Sequence, residues 1–352
     1  KFVTAEVRMV GTIDYDETRL KQITAWVPGR IDRLYVDFTG TTVNKGDHMV
    51  YLYSPQLVSA QAELLQVANA VRTLQPEASE LVQRSTLATL EAAREKLRLL
   101  GLTTEQVEQI ERSGQPQTHI TITSPITGIV IRKHATEGTY VNTGTPIYTV
   151  ADLSKLWVKL DAYESDLPWI KYGQQVEFTT EAYPGETFTG TISFIDPVLN
   201  AKTRTVKLRV NVDNSEGKLK PNMFVRAVVR SGVAQGGKVM VPGMAGKWIC
   251  PMHPDVIADQ PGKCSICGMD LVTTESLGYV AERESKQAPL VIPTSAALIT
   301  GTRAVVYVKV PDANEPTFEG REIVLGPRAG DYYLVKQGLA EGELVVTNGN
   351  FK

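Results

Sequence analysis

Three cysteines are the residues here most able to do chemistry, and all fall between positions 250 and 267. The run Trp248-Ile-Cys250-Pro-Met252-His253-Pro is followed, after nine intervening residues, by Cys264-Ser-Ile-Cys267-Gly-Met269. This has the form C-x-x-H followed by C-x-x-C, two knuckles that bring four donors to one ion. Cys264 and Cys267 form the strongest pair, because that spacing places both sulfurs on one metal; the glycine after Cys267 lets the backbone turn around it. Cys250 is nearly as strong. His253 is weaker, since prolines on both sides of Met252-His253 restrict how it turns inward. An odd, clustered set of cysteines fits a metal site better than a disulfide framework. A disulfide between Cys264 and Cys267 is the main alternative without metal.

Two metal chemistries remain open. A closed Cys₃His zinc site would serve to fold the segment, since about 30 residues cannot bury enough apolar surface alone. A site for Cu(I) or Ag(I) is the other, because thiolates with nearby thioethers select soft ions. Met252 adjoins His253, and Met269 sits two residues from Cys267. No Ser/His/Asp grouping, paired-carboxylate motif or phosphate-binding glycine loop accompanies the cluster, so an enzyme and an organic cofactor are not expected. His48, His119 and His134 are isolated and read as surface or strand-packing residues.

The surrounding elements must position this cluster. The chain has 352 residues, enough for two or three domains. Lys+Arg 37 against Asp+Glu 39 leaves a net charge of -2, which argues against a general nucleic-acid binder. No stretch of 18 or more apolar residues exists to span a bilayer. Lys1 opens straight into a strand-like run without an initiator Met, so the start reads as a truncation with any export signal or anchor upstream.

Strand texture fills residues 1–54, gives way to helical texture from Pro55 to about Gly114, and returns after Gln117. Pro55 suits a first helical turn, with Leu57, Gln61, Leu64, Leu65, Ala68, Val71 and Leu74 at helical spacing behind it. Gln75-Pro76 breaks that helix. A second helix, from about Glu77 to Leu100, carries the stripe Leu87, Leu90, Leu97 and Leu100, and Gly101 caps it. Thr103-Thr104-Glu105-Gln106 predicts a capping box for a third helix reaching about Arg112. The first two helices should pair as an antiparallel hairpin, about 30 and 35 Å long.

An internal repeat flanks the helices. Gly29-Arg-Ile31 with Gly40-Thr-Thr-Val43-Asn-Lys-Gly46 returns as Gly128-Ile-Val130 with Gly138-Thr-Tyr-Val141-Asn-Thr-Gly144. Two such copies imply one small β-domain, split in sequence and closed in space. Short strands between Lys155 and about Arg230 suggest a barrel or sandwich. Alternating strands after Leu290 are expected to pair with the N-terminal strand, because neither alone makes a stable sheet.

Together these features resemble the periplasmic adaptor proteins, or membrane fusion proteins, of resistance–nodulation–division (RND) tripartite efflux pumps. The two glycine half-motifs resemble a lipoyl-like domain. Further marks are Leu219-Lys-Pro221-Asn-Met223, Leu290-Val-Ile-Pro293 with Ser295-Ala-Ala-Leu298, and Gly338-Leu-Ala-Glu341-Gly342. The short helical region is most similar to the CusB-like heavy-metal branch. The cysteine segment resembles a small heavy-metal-binding domain marked by C-P-M-H-P and C-x-x-C-G-M. That resemblance implies Cys250, Met252, His253, Cys264, Cys267 and Met269 as ligand candidates.

The implied fold is mainly β with an α-helical hairpin, in an elongated multidomain adaptor. Its expected parts are a membrane-proximal β-domain (1–22 and 289–352), a split lipoyl-like domain (23–54 and 117–152) and the helical hairpin (55–116). A β-barrel (153–242) and an inserted heavy-metal-binding module (243–288) complete it. The implied location is the periplasm, held at the inner membrane by an upstream anchor or by the pump. The implied partners are an inner-membrane RND transporter, an outer-membrane channel, other copies of the chain in a hexameric ring and the metal ion; nucleic acid is not among them. Members of this family normally carry the metal module at a terminus, as a separate protein, or not at all, whereas here it interrupts the chain after Val241-Pro242.

Overall fold

The computed structural model describes residues 3–74, 79–233, 239–240, 244, 246–253, 256–277, 279–280, 288–300, 303–311 and 315–349. The chain divides into two units, residues 15–153 and residues 1–14 with 154–352. The break at Gln75-Pro76, the last residues of the chain and parts of the segments flanking the cysteine cluster lie outside the described residues.

β1 (Val3–Tyr15) leads into β2 (Leu20–Thr24), β3 (Gly29–Leu34), β4 (Thr42–Val43) and β5 (His48–Tyr53). Three helices follow, α1 (Pro55–Arg72), α2 (Glu80–Leu99) and α3 (Thr104–Ser113). β6 (His119–Thr123), β7 (Gly128–Lys133), β8 (Tyr140–Val141) and β9 (Pro146–Ala151) complete the first unit. Its strands form two four-stranded sheets, β6-β5-β3-β8 and β2-β9-β7-β4. Each half-motif lends a short strand to the other half's sheet: β8 pairs β3, and β4 pairs β7. The split domain predicted from the repeat is therefore interlocked.

The repeat glycines have a physical cause. A Cβ on Gly29 would sit 2.3 Å from the Tyr53 carbonyl oxygen, and one on Gly128 would sit 2.4 Å from that of Ala151. Both copies need the strand that close to its neighbour. Gly46 and Gly144 close the equivalent turns at φ 94° and 85°, where an L side chain is strained.

α1 and α3 start where their caps predict, whereas α2 begins at Glu80 without a side-chain cap. Pro55 opens α1 behind Ser54, whose hydroxyl accepts from the Leu57 N–H, and Thr103 with Gln106 forms the full capping box of α3. At 1.5 Å per residue α1 and α2 are about 27 and 30 Å long, slightly under the expectation. α1 buries Leu57, Ala60, Gln61, Leu64, Leu65 and Ala68. α2 buries only Leu90 and Leu97, so the leucine stripe is shorter than its spacing suggests: Leu87 is 51% exposed. The Gln61 amide clamps the returning chain by bonding both backbone groups of Gln117. Arg94 binds Glu111 through two hydrogen bonds, fastening α2 to α3.

The isolated histidines pack on strands or at the surface. His134 Nε2 meets Thr149 Oγ1, His48 is exposed, and His119 stacks on Tyr51 with ring centroids 4.5 Å apart. His119 also bonds Asp32, which is paired with Arg30. The Arg30 guanidinium first, and His119 second, hold the Asp32 carboxyl down at about 2. A depressed carboxyl stabilises the fold above its unfolded range, and that contribution is lost as pH falls toward 2. A carbon-detected NMR titration should place the Asp32 midpoint near 2, and Arg30→Gln should raise it toward the usual value of about 3.9. An unshifted midpoint in the variant would remove Arg30 as the cause.

In the second unit, β10 (Lys155–Tyr163), β11 (Gln175–Thr180), β12 (Phe188–Ile195), β13 (Thr205–Asp213) and β14 (Phe224–Val233) follow. Their order is β1-β10-β13-β12-β11-β14, and β1 pairs β14 in turn, which closes six strands into a barrel. The N-terminal strand is thus a barrel strand, contrary to the expectation that it would join the C-terminal strands. Val3–Thr12 pair in register with Phe224–Val233, and Val3, Ala5, Val7 and Met9 point inward. Leu20–Thr24 likewise pair with β9 in the split domain, so residues 1–22 are divided between the barrel and the split domain rather than pairing with the C-terminal strands.

The C-terminal strands do not need a partner from the N-terminus. β20 (Val291–Pro293), β21 (Leu298–Thr300), β22 (Arg303–Lys309), β23 (Phe318–Ala329) and β24 (Tyr332–Gln337) make a five-stranded sheet, ordered β20-β24-β23-β22-β21. Its own core is Ile292, Ala304, Val306, Val308 and Ile323. Trp169, buried beside the barrel, donates its indole N–H to the Arg328 carbonyl.

The cysteine segment leaves and rejoins the barrel sheet at one place. β15 (Val239–Met240) pairs with β14, and β19 (Tyr279–Val280) lies parallel to β15. Between them run the short strands β16 (Trp248–Ile249), β17 (Ile257–Ala258) and β18 (Val272–Thr273), a separate three-stranded sheet. Among the described residues, no helix is long and apolar enough to cross a membrane.

Candidate metal centre

β16 is the central strand of the small sheet, flanked by β17 and β18. It delivers Cys250 at its end. The Cys250 N–H donates to the Val256 carbonyl and the Val256 N–H to that of His253, which folds the first knuckle back on itself. The second knuckle is tied by the Cys264 N–H to the Met269 carbonyl and the Gly268 N–H to the Cys264 carbonyl. Gly268 takes φ 72°, the left-handed turn anticipated for the glycine after Cys267. Thr274 is fully buried; its hydroxyl donates to the Met244 carbonyl and its N–H to that of Lys247, which fixes the exit of the segment beside its entry. The sequence motif carries no signal for Thr274, because a buried threonine serving two carbonyls has no characteristic spacing.

These turns bring Cys250, His253, Cys264 and Cys267 together, with all four donor atoms within 4.8 Å of one another. Cys250 Sγ lies 3.6 Å from Cys267 Sγ and 3.8 Å from His253 Nδ1, which is 3.7 Å from Cys264 Sγ. An ion bound tetrahedrally, about 2.3 Å from sulfur and 2.0–2.1 Å from nitrogen, requires donor–donor edges of about 3.5–3.8 Å. These three edges match that range, and three thiols with an imidazole suit such an ion in chemistry. All three cysteines are free thiols. His253 reaches the cluster despite its neighbouring prolines. Met252 and Met269 stay at the surface, 57% and 42% exposed.

Burial and chemistry coincide here. Cys250 and Cys264, with Leu271, are the buried centre of one small apolar cluster, against which Trp248, Val256 and Ala258 pack. Met244 and Ile249 centre the other, with Val272 and Leu277. The two knuckle sulfurs therefore occupy core positions, where an uncompensated thiolate is costly. Burial pushes the Cys264 thiol up, but the N–H groups of Cys267 and Ile266 and the thiols of Cys267 and Cys250 outweigh it and bring it to about 6. The Met269 N–H draws Cys267 down, but desolvation and the thiols of Cys264 and Cys250 outweigh that and leave it raised.

A split β-domain bearing a helical hairpin, a six-stranded barrel and a four-donor cluster are the parts expected of a membrane fusion adaptor with an inserted metal module. Residues 19–152 match the CzcB-like barrel-sandwich hybrid domain, residues 155–233 the CusB-like beta-barrel domain, and residues 247–274 the heavy metal binding domain. Together these matches support a membrane fusion adaptor of the heavy-metal branch. Among curated relatives, it is 31% identical over 232 residues to the nodulation protein NolF of Rhizobium meliloti, covering 62% of each chain. It is 26% identical over 233 residues to the cation efflux system protein CusB of Escherichia coli, covering 66% of this chain and 54% of that one. The chain thus spans a little over half the length of these relatives. The crystal structure of MacA from Actinobacillus actinomycetemcomitans aligns with 99% of this chain and 98% of its own, at TM-score 0.49 and 24% identity.

Proposed function

We propose that this protein is the periplasmic adaptor of a heavy-metal RND efflux pump, linking an inner-membrane transporter to an outer-membrane channel. Its role is non-enzymatic: the barrel and C-terminal sheet grip the transporter, copies of the split domain pack side by side in a ring, and the hairpin docks on the channel. The cysteine module captures a soft ion, Cu(I) or Ag(I), and passes it to the pump or signals its presence. The observation that carries this reading is the Cys250/His253/Cys264/Cys267 cluster, sized for one ion and set within an adaptor chain at the edge of the barrel sheet. The burial of Cys250 and Cys264 supports a second reading, a zinc ion that only folds the module.

Competition separates them. Anaerobically reduced protein is offered Zn(II), Cu(I) and Ag(I) together with a chelator of known affinity, and bound ions are counted by native mass spectrometry. Preferential, exchangeable binding of Cu(I) or Ag(I), lost in Cys264→Ser/Cys267→Ser, is the expected result. Zinc that soft ions fail to displace would make the module structural and leave the cargo to be read from the pump.

A further inference from the structure

The four donors are not equally enclosed. Cys250 is fully buried, Cys264 is 3% exposed and His253 is partly covered, whereas Cys267 is an exposed residue. The side chains beside it are exposed as well: Ile266 at 65% and Met269 at 42%, with Met252, next to His253, at 57%. Large apolar side chains leave the surface where they can, at about 25 cal/mol per Å². Two thioethers are thus kept at the surface within two residues of ligand positions, on a module whose interior is short of apolar groups.

We propose that Cys267 is the exchange ligand of this centre, and that Met252 and Met269 form the thioether rim over which a soft ion enters and leaves. The inference rests on the reading of residues 247–274 as a metal site. Cys250, His253 and Cys264 are the anchored donors. An incoming soft sulfur donor, thiolate or thioether, forms a bond to the ion as the ion–Cys267 bond breaks. Cys267 leaves as a thiolate and takes a proton from water; the ion keeps its charge and no electron moves. The asymmetry reconciles two demands, because buried donors hold the fold while one exposed donor gives up the ion. A fully closed site would hold its ion instead.

The test loads reduced full-length protein with Ag(I), pulses it with iodoacetamide and maps the alkylated cysteines by mass spectrometry. Cys267 should react at least about tenfold faster than Cys250 and Cys264, since in the loaded centre all three are ion-bound thiolates and Cys267 is the exposed one. In Met252→Leu/Met269→Leu, which keeps the apolar bulk, release of Ag(I) to glutathione, measured per bound ion, should be slower by a factor of about three or more. Equal protection of the three cysteines, or earlier reaction of Cys250 or Cys264, would overturn the exchange role. Release from the methionine variant at the wild-type rate would overturn the rim. Protein that takes up no Ag(I), Cu(I) or Zn(II) would sink the metal reading itself, whereas a loaded but uniformly protected centre sinks only this inference.

Discussion

Replacing Cys250 and Cys264 together with serine should unfold residues 247–274 and leave the barrel of residues 155–233 intact. The two sulfurs sit at core positions, and the apolar groups around them are few: Leu271 with Trp248, Val256 and Ala258 on one side, and Met244, Ile249, Val272 and Leu277 on the other. So small a unit buries too little surface to offset the chain entropy of ordering it, about 1–2 kcal/mol per residue for the backbone alone. An ion held by the four donors would supply what is missing, since structural zinc contributes about 10–16 kcal/mol in small zinc-finger sites. Serine removes the soft donors and leaves hydroxyls at two buried positions. Amide hydrogen exchange should show protection lost across β16, β17 and β18, with β10 to β14 unchanged. A strong chelator added to the wild-type protein should reproduce that pattern. Retained protection of β16 in the double variant would mean that the module folds on apolar packing alone, and the metal would then have no structural part.

How much of this was legible beforehand depended on what each feature requires of its residues. Backbone demands leave marks that composition cannot imitate. Gly29 and Gly128 are required where two strands approach within a Cβ radius, and Thr103 with Gln106 is required to satisfy the first amides of α3. The repeat and the third helix could therefore be read directly. Ligand spacing is equally demanding, so Cys250, His253, Cys264 and Cys267 could be grouped before their distances were known.

Partner choice leaves no such mark. The alternation of Val3 to Val10 says that one face is buried but not against which strand, and β14 and the C-terminal strands offer the same period-two surface. The expectation that β1 would join the C-terminal sheet also assumed that sheet to be too small alone, whereas β20 to β24 already supply five strands with a core of their own. Nor could spacing distinguish buried Cys264 from exposed Cys267. Both satisfy the same motif, and exposure is set by how the knuckle packs on Leu271 and Trp248.

The helical hairpin gives the sharpest contrast between spacing and packing. Leu97→Ala should destabilise residues 15–153 by about 2–5 kcal/mol, whereas Leu87→Ala should stay within about 0.5 kcal/mol of wild type. Both leucines lie on the stripe of α2 read from the sequence. Leu97 has no exposed surface and belongs to the core that joins the helices to the two sheets of the split domain, so truncation leaves a cavity ringed by side chains already held in place. Leu87 is 51% exposed, toward the end of α2 where Leu81 and Val82 are exposed too. α2 is anchored through Leu90 and Leu97, with Ala93 and Leu100 packed partly against the same core, and the stripe outlasts the partner it packs on. Urea titrations followed by the helical circular dichroism signal should show the Leu97 midpoint fall sharply and the Leu87 midpoint hold. Equal shifts would mean that α2 is packed along its whole length, in which case the distal half of the hairpin must be covered.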